Sequence, residues 1–203
     1  IKRQAKLEGE ARPTIVLPEG ENLKIIQAAA TMRDEGIAEP ILLGNEQIID
    51  ARIQELGLAA ELKGVVKIRA STSPRGEEYA KFLFERRKRK GMTLPTAKHL
   101  VKQANYYGSI MVELGHADGL LSGISQSYPD TIRPAIQVVG VKPGSRLAGI
   151  YMMILKGRIL FFADTTVNIE PTAEELADIA IQTADMTRSY MMGEPKVPML
   201  SFS

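Results

Sequence analysis

The sequence predicts an α/β protein with a doubly wound, mainly parallel sheet, arranged in two lobes. Three observations predict it. Short apolar runs alternate with helical segments of amphipathic spacing through most of the chain, the pattern of successive βαβ units. Glycine and proline separate these runs at intervals that fit one strand or one helix. After Lys142–Pro143–Gly144 the pattern changes to two apolar runs joined by "KGR", which reads as a hairpin opening a second lobe.

Residues 1–12 are charged and read as a lead-in helix or linker. The first α/β lobe is placed at 13–143 and the start of a second at 144–203. "TIVLPEG" (14–20) is a strand closed by a Pro-Glu-Gly loop, and "ENLKIIQAAATMRDEG" a helix stopped at Gly36. "EPILLGN" is a second strand, "EQIIDARIQELG" a second helix and "GVVKIRA" a third strand. "GEEYAKFLFERRKRKGM" (76–92) is a helix ending in the basic run Arg86–Lys90. The next helix is expected to run unbroken from a cap at Thr93 to Gly115. "DGLLSGI" (118–124) is a strand, followed by a helix over "RPAIQVVG". In the second lobe, "LAGIYMMIL" and "ILFFADT" form the hairpin. "TAEELADIAIQTADMTRSYMM" is a helix with a capping box, Thr172 with Glu175 three residues on. "KVPMLSFS" (196–203) reads as a buried strand. A chain that opens without Met and closes on a strand lacking a covering helix reads as part of a longer polypeptide.

Composition narrows the function. Hydrophobic residues make up 44% and charged residues 25% of 203, ordinary globular proportions. A net charge of +2 gives no general case for nucleic acid or an anionic membrane. No apolar run reaches the length of a membrane span and no signal-peptide pattern opens the chain, so a cytoplasmic protein is expected. The absence of cysteine excludes disulfides, thiolate catalysis and cysteine-based zinc sites. With only His99 and His116, a histidine-rich metal site is not expected. No dinucleotide fingerprint and no phosphate-binding P-loop occurs, which argues against NAD binding or nucleotide hydrolysis.

One stretch, "SQSYPDTIRPAIQ" (125–137), concentrates candidate chemistry. With Asp130 or Thr131 as the N-cap, Pro134 falls in the first helical turn. Helix starts at the carboxyl ends of strands favour anions, and Arg133 would clamp a phosphate in bidentate fashion. Ser127, Thr131 and free backbone amides would be donors. The competing reading is a plain capped helix with Arg133 paired to a nearby acid such as Asp130, and the residues alone leave the two open. The basic run reads first as a solvated helix end, though one of its side chains can turn inward to phosphate. In "FFADTTVN", Asp164 and Asn168 follow a buried strand and join the candidate ligand-binding set beside a capping role. His116, in "GHADG", reads as structural before it reads as a base.

Together these segments resemble the phosphate acetyl/butyryl-transferase family. The resemblance runs in order through "TIVLPEG", "EGIAEPILLGN", "RRKRKGMT", "YYGSIMVELGHADGLLSG", "SYPDTIRPAIQVVGVKPG", "FFADTTVNIEPTAEELADIAI" and "EPKVPMLSFS". It implies the phosphotransacetylase-like, isocitrate/isopropylmalate-dehydrogenase-like architecture. It also implies an acyl-CoA and acyl-phosphate site between two lobes, and interconversion of acetyl phosphate plus CoA with acetyl-CoA plus phosphate. Arg133 and Arg87 correspond to the family's phosphate- and CoA-binding arginines. Family members commonly dimerise, so a homo-oligomer is expected.

Two departures sharpen this. Gln126 and Tyr128 flank Ser127 where the family usually reads His-Ser-Thr, and "FADTTVN" stands for "FADCA.N". With "NIEPTAEELA", they resemble the C-terminal domain of multidomain NADP-dependent malic enzymes. That resemblance implies an acyl-CoA-binding regulatory domain with acetyl-CoA as effector. An upstream malic enzyme domain would hold NADP and a divalent metal and convert malate to pyruvate. The alternative is a portion of a free-standing phosphate acetyltransferase. The family's Ser-Arg pair and Asp, its proposed transfer machinery, come from a segment C-terminal to residue 203. No catalytic residue is therefore assigned, the C-terminal part of the fold is expected to be missing, and these residues alone are expected not to catalyse transfer.

Overall fold

The computed structural model describes residues 12–142, 144–164, 166–191 and 193–200. The expected lead-in helix lies outside them, apart from Arg12. The chain divides into two compact units, residues 1–140 and 141–203.

In the first unit, β1 (Thr14–Leu17), β2 (Glu39–Leu43), β3 (Val66–Ile68) and β4 (Gly119–Leu120) form one sheet in the order β3-β2-β1-β4. Every pairing is parallel. The reversal of order places the topological switch between β1 and β4, where open α/β sheets bind ligands. Alternate residues along a strand face opposite sides, so each strand feeds two cores. Leu17 and Leu42 pack on Ile25, Ile26 and Ala29 of α1 (Leu23–Asp34) and on Ile49 and Ile53 of α2 (Glu46–Glu55). Val16, Ile41 and Leu43 pack on the other face against Tyr79 and Leu83 of α3 (Gly76–Arg87) and Ile110 of α5 (Ala104–Glu113). The same core takes in Val138 of α6 (Tyr128–Val138). Helices on both faces make the sheet doubly wound, as expected.

The helix expected over 93–115 is two helices, α4 (Leu94–Leu100) and α5. Thr93 does cap the first, accepting from the Thr96 amide. Residues Asn105–Met111 of α5 are buried on every side, against the sheet, whereas only Ala97 of α4 is buried. A Cβ on Gly108 would lie 2.7 Å from Leu120 Cδ1 and 3.0 Å from Val16 Cγ1, so glycine lets α5 sit that close. α4 lies along α3 instead, tied by Lys98–Glu77 at 2.8 Å. One straight helix cannot follow both surfaces, and the chain turns at Lys102–Gln103. The strand expected over 118–124 is only two residues long, because the chain then leaves the sheet toward α6.

In the second unit, β5 (Ile150–Leu155) and β6 (Arg158–Ala163) pair antiparallel across the turn at Lys156–Gly157, where Gly157 adopts φ +82°. α7 (Ala173–Tyr190) starts with the expected capping box: both the Thr172 and the Glu175 side-chain bonds form. The strand expected at 196–203 does not form over residues 196–200; among the described residues no strand pairs there, and Leu200 is 90% exposed. Residues 201–203 lie outside the described range. No helix among the described residues is long and apolar enough to cross a membrane.

Candidate functional site

The loop after β4 is organised by Glu19, which was not among the expected site residues. Glu19, one step past Pro18 at the end of β1, is 8% exposed. Its carboxylate accepts from the amides of Gly123 (2.7 Å), Ile124 (3.0 Å), Ser125 (2.5 Å) and Gln126 (3.1 Å). The Ser125 hydroxyl donates to it at 2.6 Å, and the Ser122 oxygen lies 3.4 Å away. Burial works to raise its pKa, but the hydrogen bonds from Ser125, Gly123 and Ile124 outweigh it and hold the group down at about 2. The loop amides expected to be free for a ligand are therefore engaged.

The start of α6 also differs from expectation. Ser127, not Asp130 or Thr131, is the N-cap, with its hydroxyl accepting from the Asp130 amide at 3.3 Å and donating to the Asp130 carboxylate at 2.6 Å. Pro129 takes the first-turn place where a missing N–H costs little, and Pro134 stands inside the helix. Pro134 leaves the Asp130 carbonyl without its helical donor. Buried Asn105 supplies one, Nδ2 to that oxygen at 3.0 Å, while its Oδ1 accepts from Ser122 at 2.8 Å. Thr131 donates to the Ser127 carbonyl at 3.2 Å. Ser127 and Thr131 thus both serve the helix itself.

Arg133 stands on the second turn, exposed, with no ion pair among the described residues; the pairing with Asp130 does not form. The basic run separates residue by residue. Arg86 binds Glu113 at 2.9 Å and the Val139 carbonyl at 2.6 Å, and Lys88 pairs with Glu85 at 2.5 Å. Arg89 and Lys90 are exposed on the short turn that follows α3. Arg87 alone turns inward: its Nε is buried with no hydrogen-bond partner among the described residues. Tyr106 of α5, 4% exposed, donates its hydroxyl proton to Gln137 Oε1 at 2.8 Å. Burial pushes the Tyr106 hydroxyl up, and the charges of Arg133 and then Arg87 pull it the other way. Both guanidinium groups therefore act on one buried hydroxyl. Tyr106 and Gln137 were not among the predicted residues; "NYYG" and "AIQVV" carry no sign distinguishing them from core and surface positions.

Asp164 and Asn168 belong to the second unit. Asp164 accepts from the amides of Gly149, Thr166, Val167 and Asn168 at 2.8–3.1 Å, and Asn168 Nδ2 donates to both Asp164 and the Leu147 carbonyl. Burial raises the Asp164 pKa less than these bonds lower it, so it sits below its usual range. The pair holds its own loop together.

His116 Nδ1 lies 2.8 Å from both the Arg75 guanidinium and the Tyr79 hydroxyl, so it is tied into the packing around α3. A cavity of about 270 Å³ opens past the carboxyl ends of β1–β3, lined by Glu21, Asn45, Arg69, Ser71 and Lys102 among others; none of the predicted site residues lines it. No group of three metal-ligating side chains occurs among the described residues.

A family model described as "Phosphate acetyl/butaryl transferase" matches residues 1–203. A phosphate acetyltransferase of Synechocystis sp. is 39% identical over 194 residues, 95% of this chain and 28% of that protein. One of Corynebacterium glutamicum is 37% identical, over 93% of this chain and 57% of that protein. Among solved structures, a phosphotransacetylase of Streptococcus pyogenes superposes with a TM-score of 0.83 at 34% identity, covering 92% of this chain and 56% of that one. The EutD phosphotransacetylase of Staphylococcus aureus gives 0.78 at 35% identity, covering 88% and 54%. The chain thus spans less than two thirds of each of these relatives.

Proposed function

Because the chain belongs to the phosphate acetyl/butyryl transferase family, we infer that it serves acetyl transfer between acetyl phosphate and CoA. The carrying observation is the Arg87 Nε–H, buried with no hydrogen-bond partner among the described residues, together with an exposed Arg133 that has no ion pair among them. A buried donor without an acceptor costs about 1–3 kcal/mol, and a phosphate oxygen would relieve it. Both substrates carry phosphate groups, and planar guanidinium groups suit them. In transfer, the CoA thiolate sulfur attacks the acetyl carbonyl carbon. A C–S bond forms, the carbon–oxygen bond to phosphate breaks, and inorganic phosphate leaves with the bonding pair. Arg87 and Arg133 neutralise the charge gathering on that leaving group. Ser127 and Thr131 fix the helix that carries Arg133, Tyr106 and Gln137 back the site, and Asp164 and Asn168 shape the second unit's loop.

The relatives above are named as phosphate acetyltransferases and give no support to a malic-enzyme effector domain, with its NADP and metal. Of the departures behind that reading, Tyr128 opens the first turn of α6 half-exposed and Gln126 gives Glu19 only its backbone amide. The test is acetyl phosphate formation from acetyl-CoA and inorganic phosphate by the full-length protein. Turnover is expected, with Arg133→Ala lowering kcat/KM by about 10²-fold. CoA binding without any turnover would return the effector reading.

A further inference from the structure

Glu19 is a buried carboxylate that no cation meets among the described residues. Its charge is held instead by N–H and O–H dipoles of one short loop. Four successive amides, Gly123 to Gln126, point at it. Backbone amides turned toward one point are a preformed anion receptor. Here the receptor is filled from within the chain. A phosphate cannot use these amides without displacing Glu19, and the fixed carboxylate repels it. An incoming anion has to be met beyond the loop, where Arg133 stands.

The carboxylate is anchored on one side and transmits on the other. The Gly20 amide donates to the Leu43 carbonyl at 3.0 Å, and a Cβ on Gly20 would lie 2.7 Å from that oxygen, so the end of β1 is clamped against β2. The loop then runs straight into the Ser127 cap. Ser122, next to the first of those amides, donates its proton to Asn105, and Asn105 holds the Asp130 carbonyl freed by Pro134. The loop that Glu19 gathers is therefore tied through Ser122 and Asn105 to the first turn of α6, and Arg133 follows on the next turn.

We propose that Glu19 is a positioning residue of the anion site: by gathering the amides of the 123–126 loop it fixes the start of α6 and so the direction of Arg133. The proposal rests on the reading of Arg133 as a ligand contact. It differs from a long-range charge effect in sign. Removing a nearby negative charge by itself would strengthen anion binding; releasing the loop would weaken it.

The experiment compares wild type, Glu19→Gln and the milder Ser125→Ala, which removes one donor to the carboxylate, in the full-length protein. CoA is titrated calorimetrically, and the Arg133 Nε–Hε signal is followed by NMR. Glu19→Gln is expected to shift that signal and weaken CoA about tenfold, with Ser125→Ala intermediate. A folded Glu19→Gln protein that binds CoA as well as wild type, or better, overturns the proposal. If Glu19→Gln does not fold, Ser125→Ala decides on the same two readouts. If wild type binds no CoA, the ligand reading fails separately. The Arg133 signal then decides alone: displaced, it supports the positioning role; unmoved, it refutes it.

Discussion

Acidification probes the Glu19 cluster directly. The carboxylate ionises at about 2 in the folded chain against an ordinary value of 4.5. Each tenfold difference in proton affinity is worth about 1.4 kcal/mol, so the ionised group stabilises the fold by about 3 kcal/mol at neutral pH. Because the folded value is the lower one, this contribution is present in full above 4.5 and fades as pH falls toward 2. The same relation leaves about 2.5 kcal/mol at pH 4 and about 1.4 kcal/mol at pH 3. Other carboxylates titrate in this range, so the informative quantity is a difference. Glu19→Gln removes the titration and keeps the size. Urea unfolding of both proteins, followed by absorbance of the buried Tyr79, Tyr106 and Tyr107, gives the stability gap at each pH. The gap is expected to narrow by about 2 kcal/mol between pH 7 and pH 3. A gap that stays constant across that range would show that the loop amides do not hold the ionised form, and the reasoning would fail.

Three further outcomes follow from the packing. Gly108→Ala places a methyl 2.7 Å from Leu120 Cδ1; it should cost about 1–3 kcal/mol by urea unfolding, and a neutral result would mean that α5 does not rest on β1 and β4 as described. Asn105→Leu strands the Asp130 carbonyl and its Ser122 partner; a loss of about 1–3 kcal/mol and faster exchange of the α6 first-turn amides are expected, and unchanged exchange counts against the Asn105 bridge. Thr172→Ala removes half of the α7 capping box; it should cost about 1 kcal/mol, with exchange faster only in the first turn of α7.

The fold was legible where local chemistry decides it. The alternation of strand and helix, the Lys156–Gly157 hairpin and the Thr172–Glu175 box are written in periods and offsets of a few residues. The break between α4 and α5 was not, because no proline or glycine marks it; it follows from two packing surfaces that lie in different directions. The strand expected at 196–203 has the apolar composition, but a strand needs a neighbour to pair with, and none pairs with the described residues 196–200. Arg133 is a candidate in the sequence because of its place beside a helix start. The resemblance singled out Arg87; by its own chemistry it separates from Arg86 and Lys88 only once Glu113 and Glu85 are seen to claim those two. Glu19 is the clearest miss. "LPEG" marked the end of a strand, but its meaning depends on β4 lying beside β1, across 104 residues of sequence from Glu19 to Gly123. A single acid after a strand carries no sign of which loop it will face.

The central claim is that Arg87 and Arg133 hold the phosphate-bearing ligand. Calorimetric titration of CoA into full-length wild type, Arg87→Ala and Arg133→Ala tests it most directly. Each substitution removes a charged donor from an anion and is expected to raise Kd about tenfold to a hundredfold, with Tm unchanged for the exposed Arg133. CoA affinity equal to wild type in either folded variant would contradict it.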